Sequence, residues 1–416
     1  MKRYVVIGAS AAGCNAIKEI RRLQPEDEII LISTDTAIYS RCILYHYLKG
    51  IRTLEQLNFM EADFETKYNI QWMKGRTAKG VCVEKNEVLL DDGTTVAYDE
   101  LLIATGSHTN FPPIPGLREG TNILGFRNFD DVQKIEALLP KIQNIFVMGA
   151  GLVGIDVIAG LVPYHKNITL ADMGPYMLPI QLDERASKTY IDLFAKEGVK
   201  QYYGMGAKEF KLDENNYCYE VELQDGTIVP VDLVINCAGV RSNVEFLADT
   251  GIECDRFGLI FDHKGQTNIP NIFGAGDVSG RAPIWPVAVK EGIIAANNMC
   301  GISMTMDDFF SSKSTMNFLG VPTLSVGNPN KYDETFSVEI DCDDKGNYKK
   351  IVHKDGIITG ALIQGDLSYA GVLTQLIRRK VNVSKVKKPL FKIDYSDFFR
   401  MNENFEFTYE KEYIPE

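Results

Sequence analysis

Residues 144–154, with the sequence NIFVMGAGLVG, contain a short apolar run followed by Gly149, Gly151 and Gly154. The run predicts a buried strand, the glycines a tight turn, and the apolar residues up to about 162 a helix. A second apolar run, NITLA at 167–171, ends at Asp172. This succession predicts a βαβ unit in which the amides of the helix N-terminus face the pyrophosphate of a dinucleotide.

The same order occurs at the N-terminus, where RYVVI at 3–7 precedes the glycine-rich loop GASAAG at 8–13. Ser10 replaces the middle glycine of the fingerprint, but a predicted strand precedes the loop and a predicted helix follows it. An acidic residue is expected near the end of the next strand, EIILI at 28–32, to bind a ribose diol, and Asp35 is the candidate. The sequence therefore predicts two dinucleotide-binding units.

Each unit is followed by a predicted hairpin and a further strand, EVLLDDGTTVAYDELLIATG at 87–106 and CYEVELQDGTIVPVDLVINCAG at 218–239. This internal duplication predicts an α/β fold with two Rossmann-like domains. Later in the chain, NIFGAGD at 271–277 predicts a short strand and a glycine turn that places Asp277 near a ribityl hydroxyl or phosphate, although a plain turn also fits. Strand-like segments after Gly301 and a short helix at 369–379 predict a third, α+β domain.

The composition is that of a globular protein of two or three domains, with 416 residues, 45% apolar residues and a net charge of −12. The acidic balance disfavours a nucleic-acid partner. Residues 385–392 form a basic stretch that is either a local anion-binding patch or a solvated surface run. The eight cysteines have no CxxC or metal-ligand spacing, which favours reduced thiols and no metal site. Without a predicted signal peptide or membrane span, we expect a soluble, cytoplasmic protein.

Five stretches together resemble the FAD-dependent pyridine nucleotide-disulfide oxidoreductase superfamily. They are GASAAG (8–13), LLIATGS (101–107), GAGLVG (149–154), NCAG (236–239) and NIFGAGDV (271–278). Three further stretches resemble its NADH:rubredoxin reductase and nitrite reductase large-subunit branch, namely IYSRCILYHYLKG (38–50), WPVAVKEGIIAANNMCG (285–301) and GALIQGDLSYAGVLTQLI (360–377). The resemblance implies FAD at the first fingerprint and NAD(P)H at the second.

The implied domains are a discontinuous FAD-binding domain (1–112 and 246–305), an NAD(P)H-binding domain (113–245) and a C-terminal α+β domain (306–416). Because Asp172 would repel a 2′-phosphate and no arginine follows it in DMGPYMLP, NADH is favoured over NADPH. The residues expected at FAD are Gly8, Ser10, Ala11, Ala12, Gly13, Asp35, Ser40, Arg41, Ala104, Thr105, Gly106, Gly276 and Asp277. Those expected at NAD are Gly149, Gly151, Leu152, Val153, Gly154, Asp172 and Gly239.

Cys42 is a catalytic candidate because dithiol members of the superfamily carry two cysteines where this chain has one. With Ser40 as N-cap, the thiol would lie in the first turn of a helix, where the helix dipole, Arg41 and His46 favour a thiolate. Alternatively, Cys42 is a small buried apolar residue. Asp156 is a second candidate, because relatives place a glutamate near the flavin and nicotinamide at this point, although a carboxylate on the helix surface fits equally well. Lys49 is a third candidate, which could pair with Asp156.

The resemblance implies hydride transfer from NADH to FAD, followed by electron release to an acceptor. A small redox protein such as rubredoxin is the first candidate acceptor. A second hypothesis is a disulfide reductase, NADH oxidase or peroxidase that uses Cys42. A third is a non-catalytic subunit that binds flavin and NAD. The superfamily also suggests a homodimer, and no nucleic-acid or membrane partner is expected.

Overall fold

The computed structural model describes residues 1–306 and 313–409. Residues 307–312 and 410–416, which belong to the predicted C-terminal domain, lie outside the described residues. Three parts follow one another along the chain: two similar parallel α/β units, of which the first is completed by a later segment, and an antiparallel C-terminal sheet. Within the described residues, no helix has both the length and the apolar character of a membrane span.

The first unit is built from alternating strands and helices, with α1 between the parallel strands β1 and β2 as the sequence predicted. Its elements are β1 (Arg3–Ile7), α1 (Ala11–Leu23), β2 (Glu28–Ser33), α2 (Leu44–Leu48), α3 (Phe64–Lys67), β3 (Gln71–Lys74), β4 (Ala78–Cys82), β5 (Glu87–Leu90), β6 (Thr95–Ala97), β7 (Glu100–Ile103) and β8 (Ser107–Thr109). Strands β4, β5 and β6 form a small antiparallel sheet that includes the predicted hairpin.

The second unit repeats this plan. Its elements are β9 (Ile123–Leu124), α4 (Phe129–Leu138), β10 (Asn144–Met148), α5 (Leu152–Leu161), β11 (Asn167–Asp172), α6 (Glu184–Lys196), β12 (Lys200–Tyr203), β13 (Ala207–Leu212), β14 (Cys218–Leu223), β15 (Ile228–Pro230), β16 (Leu233–Asn236) and β17 (Val240–Ser242). The parallel sheet has the strand order β12-β11-β10-β16-β9. Strand β17 pairs with β8, so the two chain crossings between the units form one antiparallel ribbon.

The chain then returns to the first unit through β18 (Ile272–Gly274), which completes a parallel sheet of order β18-β7-β1-β2-β3. Helix α7 (Trp285–Met299) follows and packs against α1. The approach is close because Gly292 lacks a side chain: a Cβ there would lie 2.3 Å from the carbonyl oxygen of Ala12. This helix begins at Trp285, three residues before the predicted start, with Pro286 in its first turn.

The C-terminal part contains β19 (Lys313–Phe318), β20 (Val321–Gly327), β21 (Ser337–Cys342), β22 (Tyr348–Lys354), β23 (Ile357–Gln364), α8 (Ala370–Arg378), β24 (Phe399–Met401) and β25 (Phe407–Tyr409). The first five strands form an antiparallel sheet of order β19-β20-β23-β22-β21. One face of this sheet packs on α6 and the other on α8. The nearly buried Lys350 forms an ion pair, 3.1 Å long, with Asp183, the N-cap of α6.

Candidate active site

A cavity of about 650 Å³ opens at the carboxyl ends of β1, β2, β7 and β18. Ligands bind at this edge of open parallel sheets because the strand-to-helix loops and helix N-termini meet there. Of the thirteen residues expected at FAD, all but Gly13 and Ser40 line the cavity. The lining also includes Cys42, Arg76, Thr77, Lys79, His108, Arg127, Asn128, Asn243 and Trp285.

The loop from Gly8 to Gly13 fits tightly under this cavity. Gly8 has a φ of +119°, and a Cβ there would lie 2.1 Å from the carbonyl oxygen of Ala104. A Cβ at Gly13 would lie 2.0 Å from the carbonyl oxygen of Gly8. Ser10, by contrast, has an extended backbone that accepts a side chain, and its hydroxyl does not cap α1. The amides of the first turn therefore lack a side-chain partner and suit an anionic ligand.

Two arginine–aspartate pairs flank the cavity. Arg41 Nη2 lies 2.5 Å from Asp35, whose other carboxylate oxygen accepts a hydrogen bond from Tyr39 at 2.7 Å. Burial alone would lower the pKa of Arg41, but Tyr39 and Asp35 hold it raised. Arg41 Nη1 is buried without a hydrogen-bond partner, which is unusual for a guanidinium group. An unpartnered donor beside free helix amides fits the diphosphate of FAD.

Arg127 forms the second pair and was not among the predicted site residues. Its Nη2 lies 2.5 Å from Asp277 and donates to the Ser107 hydroxyl at 2.9 Å. Arg127 belongs to the segment between β9 and α4 of the second unit, whereas Asp277 follows β18 of the first. The pair therefore joins the two units inside the cavity.

Cys42 lines the cavity, but its surroundings do not favour a thiolate. It lies in a 3₁₀ turn at Arg41–Ile43 rather than in the first turn of an α-helix, and the Ser40 side chain makes no capping hydrogen bond. The Cys42 side chain is exposed, so the alternative interpretation as a small buried apolar residue was wrong. Desolvation of the thiol by the surrounding protein nevertheless raises its pKa, and the Asp156 carboxylate raises it further, against opposing effects of Arg127 and Arg41. The expectation of a lowered pKa at Cys42 was therefore wrong.

Asp156 lies on α5, where its charge raises the pKa of Cys42, Tyr45 and Cys237. Burial raises the pKa of Asp156 well above its usual range. Among the described residues, no ion pair involves Asp156 or Lys49, so the predicted pairing of the two is not found. The Tyr45 phenol is near enough for the Asp156 charge to raise its pKa.

Glu291 is a second residue that sequence reasoning missed. Its carboxylate accepts a hydrogen bond of 2.7 Å from the amide of Gly276, in the turn that presents Asp277. Burial raises the pKa of Glu291 to about 7, and the Asp277 charge adds to this effect. Glu291 lies on α7, one turn after Ala288, which lines the cavity. Its hydrogen bond to the Gly276 amide therefore fixes the turn that carries Asp277 to this helix.

The second glycine loop has the same internal geometry but more open surroundings. A Cβ at Gly154 would lie 1.9 Å from the carbonyl oxygen of Gly149, whereas a Cβ at Gly151 would meet no atom within 4 Å. Asp172 accepts hydrogen bonds from the amides of Ala150 at 2.6 Å and Gly174 at 2.5 Å. The predicted NAD residues Leu152, Val153 and Gly239 lie around this loop, where Gly239 has a φ of +92°.

Metal ligands and disulfides do not add to this site. Between residues 1 and 306 and between 313 and 409, the structure contains no group of three or more histidine, cysteine, aspartate or glutamate side chains that could hold a metal ion. All eight cysteines are free. The cavity is lined by a glycine loop, carboxylates, arginines and the Cys42 thiol.

Residues 2–292 match the model of the pyridine nucleotide-disulphide oxidoreductase family, and residues 313–381 match the rubredoxin NAD⁺ reductase C-terminal domain. The chain belongs to the pyridine nucleotide-disulphide oxidoreductase family. Members of this family are FAD-dependent NAD(P)H oxidoreductases.

Curated relatives include a nitrite reductase [NAD(P)H] from Bacillus subtilis, 27% identical over 93% of this chain and 48% of the relative. A Bacillus subtilis assimilatory nitrate reductase electron transfer subunit is 24% identical, and the match covers 52% of it. The chain thus spans about half the length of these two relatives. An NADH-rubredoxin oxidoreductase from Clostridium acetobutylicum is 25% identical over 90% of this chain and 94% of the relative.

Solved structures share the fold of this chain. The NADH:rubredoxin oxidoreductase from Clostridium acetobutylicum has a TM-score of 0.74 and 23% identity, covering 93% of this chain and 97% of that one. The reductase in a covalent putidaredoxin reductase-putidaredoxin complex has a TM-score of 0.81 and 22% identity over 92% and 94% of the two chains. At these identities the likeness concerns the fold.

Proposed function

We propose that this chain is an NADH-dependent flavoprotein reductase that passes electrons to a small redox protein such as rubredoxin. The observation that carries the proposal is the C-terminal sheet domain, whose residues 313–381 match the C-terminal domain of rubredoxin NAD⁺ reductases. The full-length similarity to an NADH-rubredoxin oxidoreductase also supports it. When bound, FAD accepts a hydride from the nicotinamide and releases the electrons one at a time.

In this proposal the first unit binds FAD. The α1 amides and the free Nη1 of Arg41 bind the diphosphate, while Asp277 and the Gly276 turn face the ribityl chain. Asp35 binds a ribose hydroxyl, for which it exchanges part of its contact with Arg41. Residues 1–112 and 246–305 form the FAD domain, 113–245 the NAD domain and 306–416 the C-terminal domain.

The second unit is proposed to bind NADH rather than NADPH. The Asp172 carboxylate stands at the end of β11, where the adenosine ribose of a dinucleotide binds, and it would repel a 2′-phosphate. Met173, the next residue, offers no charge to compensate. Burial raises the pKa of Asp156 well above its usual range, which disfavours a negative charge on this carboxyl group near Cys42.

The experiment follows reduction of the flavin-loaded enzyme by NADH without oxygen, and then reoxidation by rubredoxin. Bleaching of the flavin absorbance followed by recovery with rubredoxin would support the proposal. Failure of rubredoxin, with rapid recovery by ferricyanide, would remove rubredoxin as the acceptor and leave the NADH-to-flavin step intact. Absence of bleaching would contradict the NADH assignment.

A second candidate, an NADH oxidase or disulfide reductase that uses Cys42, is favoured by one observation: the thiol lines the cavity. NADH oxidases from Methanocaldococcus jannaschii and Enterococcus faecalis are 28% and 27% identical to this chain. The raised pKa of Cys42 weighs against it. Replacement of Cys42 by serine distinguishes the two candidates, because disulfide turnover would collapse whereas rubredoxin reduction would persist.

A further inference from the structure

The basic segment, residues 378–392, concentrates positive charge on an otherwise acidic protein. No aspartate or glutamate lies between Asp366 and Asp394, and the remainder of the chain carries 19 more acidic than basic residues. The seven cations of the segment are exposed: Arg378, Arg379, Lys380, Lys385, Lys387, Lys388 and Lys392. Most of the segment lies beyond residue 381, where the match to the rubredoxin reductase C-terminal domain ends.

The backbone that carries these cations is fixed rather than loose. Val381, Val383 and Ile393 are buried against the outer face of the C-terminal sheet and α8. The Val383 amide donates to the Gly356 carbonyl at 2.8 Å, and the Tyr369 hydroxyl donates to the Leu390 carbonyl at 2.8 Å. A partner that binds here therefore meets cations on an already ordered backbone, which lowers the entropic cost of association.

Acidic side chains among the described residues neutralise part of the segment. Lys388 pairs with Asp397 at 2.7 Å and with Asp394 at 3.5 Å. In the described parts of the chain, no ion pair involves Arg379, Lys380, Lys387 or Lys392. Their charges remain available to an anionic partner.

Exposed apolar side chains follow the segment along the chain. The hairpin of β24 and β25 follows closely after Asp397, the ion-pair partner of Lys388. Phe405, in its turn, is 80% exposed, and Met401 is 57% exposed. Protein interfaces are enriched in aromatic residues, methionine and arginine, so cations followed by exposed apolar groups fit a protein partner better than a small anion.

We propose that the basic segment is the docking surface for an acidic electron-acceptor protein. The proposal rests on the proposed function, because it names the surface by which the acceptor is recruited. Attraction to the segment steers an acidic protein to the C-terminal domain although the net charge of the reductase would repel it. A nucleic acid fits less well, since its extended negative backbone would also meet the acidic remainder of the chain.

The test compares two triple variants of the flavin-loaded enzyme that change the net charge equally. One carries Lys380→Glu, Lys387→Glu and Lys392→Glu; the control carries Lys134→Glu, Lys196→Glu and Lys200→Glu on exposed positions of the second unit. Binding of a fluorescein-labelled oligoglutamate peptide is measured by anisotropy at several salt concentrations. The basic-segment variant should bind about tenfold more weakly than wild type, while the control stays within about twofold.

Equal losses in the two variants, or no binding of the peptide by wild type, would overturn the docking proposal. Tighter binding of a DNA duplex than of the peptide would overturn it in favour of a nucleic-acid partner. The KM for rubredoxin should rise only in the basic-segment variant. The rate with ferricyanide, a small acceptor that needs no docking surface, should be the same in both variants. If the peptide result holds but wild type does not reduce rubredoxin, the proposed acceptor fails and the docking surface stands.

Discussion

The two dinucleotide units have nearly the same loop and different surroundings. A Cβ at Gly13 or at Gly154 would lie 2.0 or 1.9 Å from the carbonyl oxygen of the first glycine of its loop. The first loop lies under a deep cavity with two arginine–aspartate pairs, whereas the second has open space at Gly151 and exposed Met173 and Ile180 beside it. Both loops have the geometry of dinucleotide-binding loops, and in the proposed assignment the surroundings would enclose the first dinucleotide and leave the second free to exchange.

The largest expected effect concerns the second loop, where Gly154 is required by packing and Gly151 faces the proposed ligand. Gly154→Ala forces a Cβ onto the Gly149 carbonyl and should destabilise the fold by about 3 kcal/mol or more. Gly151→Ala, where space is open, should leave Tm unchanged and raise the KM for NADH about tenfold, because the backbone can no longer approach the pyrophosphate. Thermal unfolding and stopped-flow flavin reduction measure the two effects. Equal Tm losses in both variants would contradict this distinction.

The second prediction concerns Asp172, the carboxylate at the end of β11 in the second unit. Asp172→Ala combined with Met173→Arg should shift the ratio of kcat/KM for NADH over NADPH by about thirtyfold toward NADPH, since charged hydrogen bonds to the ribose are lost and a 2′-phosphate gains a partner. Met173→Arg alone serves as the control and should shift the ratio less. A ratio that stays at the wild-type value in the double variant would show that Asp172 does not contact the ribose.

The third prediction concerns Arg127, which lines the cavity at the first loop. Arg127→Ala should weaken FAD binding about tenfold, because one charge-assisted contact at the cavity is lost and Asp277 is left unpaired. Arg118→Ala removes an arginine of the same unit that bonds only to the Phe111 carbonyl, and it should leave the FAD Kd unchanged. Fluorescence titration of the flavin-free protein measures both constants; equal constants would place Arg127 outside the flavin site.

The last prediction, on stability rather than on a binding constant, is a pH dependence at Glu291. Because folding raises its pKa to about 7, the stability that its proton contributes is present in acid and is lost as pH rises through that value. Wild type should lose about 2 kcal/mol relative to Glu291→Gln between about pH 5 and pH 8. Denaturant unfolding across this range gives the difference. A constant difference would mean that Glu291 is already ionised at pH 5.

The sequence predicted the parts of this fold that depend on local pattern. Apolar runs and glycine spacing predicted both βαβ units, and the Asp92-Gly93 turn predicted the hairpin of β5 and β6, because each signal lies within about twenty residues. Strand-like segments predicted four of the five strands of the C-terminal sheet but not β19. Arg127 escaped prediction because its partner Asp277 is 150 residues away in the chain. Glu291 gave no motif, since only packing of α7 brings it to the Gly276 amide.

Cys42 shows the other limit of sequence reasoning. A serine N-cap and a neighbouring arginine predicted a thiolate, yet the chain folds into a 3₁₀ turn there and the dominant influences on the thiol are desolvation and Asp156. Asp156 is 114 positions later in the chain, on α5 of the other unit. The pKa of such a group depends on neighbours that only the tertiary structure brings close.

The most direct test of the account is an anaerobic NADH titration of wild type and Gly151→Ala after loading with FAD. The account predicts that both proteins hold one FAD per chain and that NADH reduces the flavin of wild type readily but that of the variant only at about tenfold higher NADH. Loss of FAD from the Gly151 variant, or unchanged reduction by NADH, would contradict the assignment of FAD to the first unit and NADH to the second.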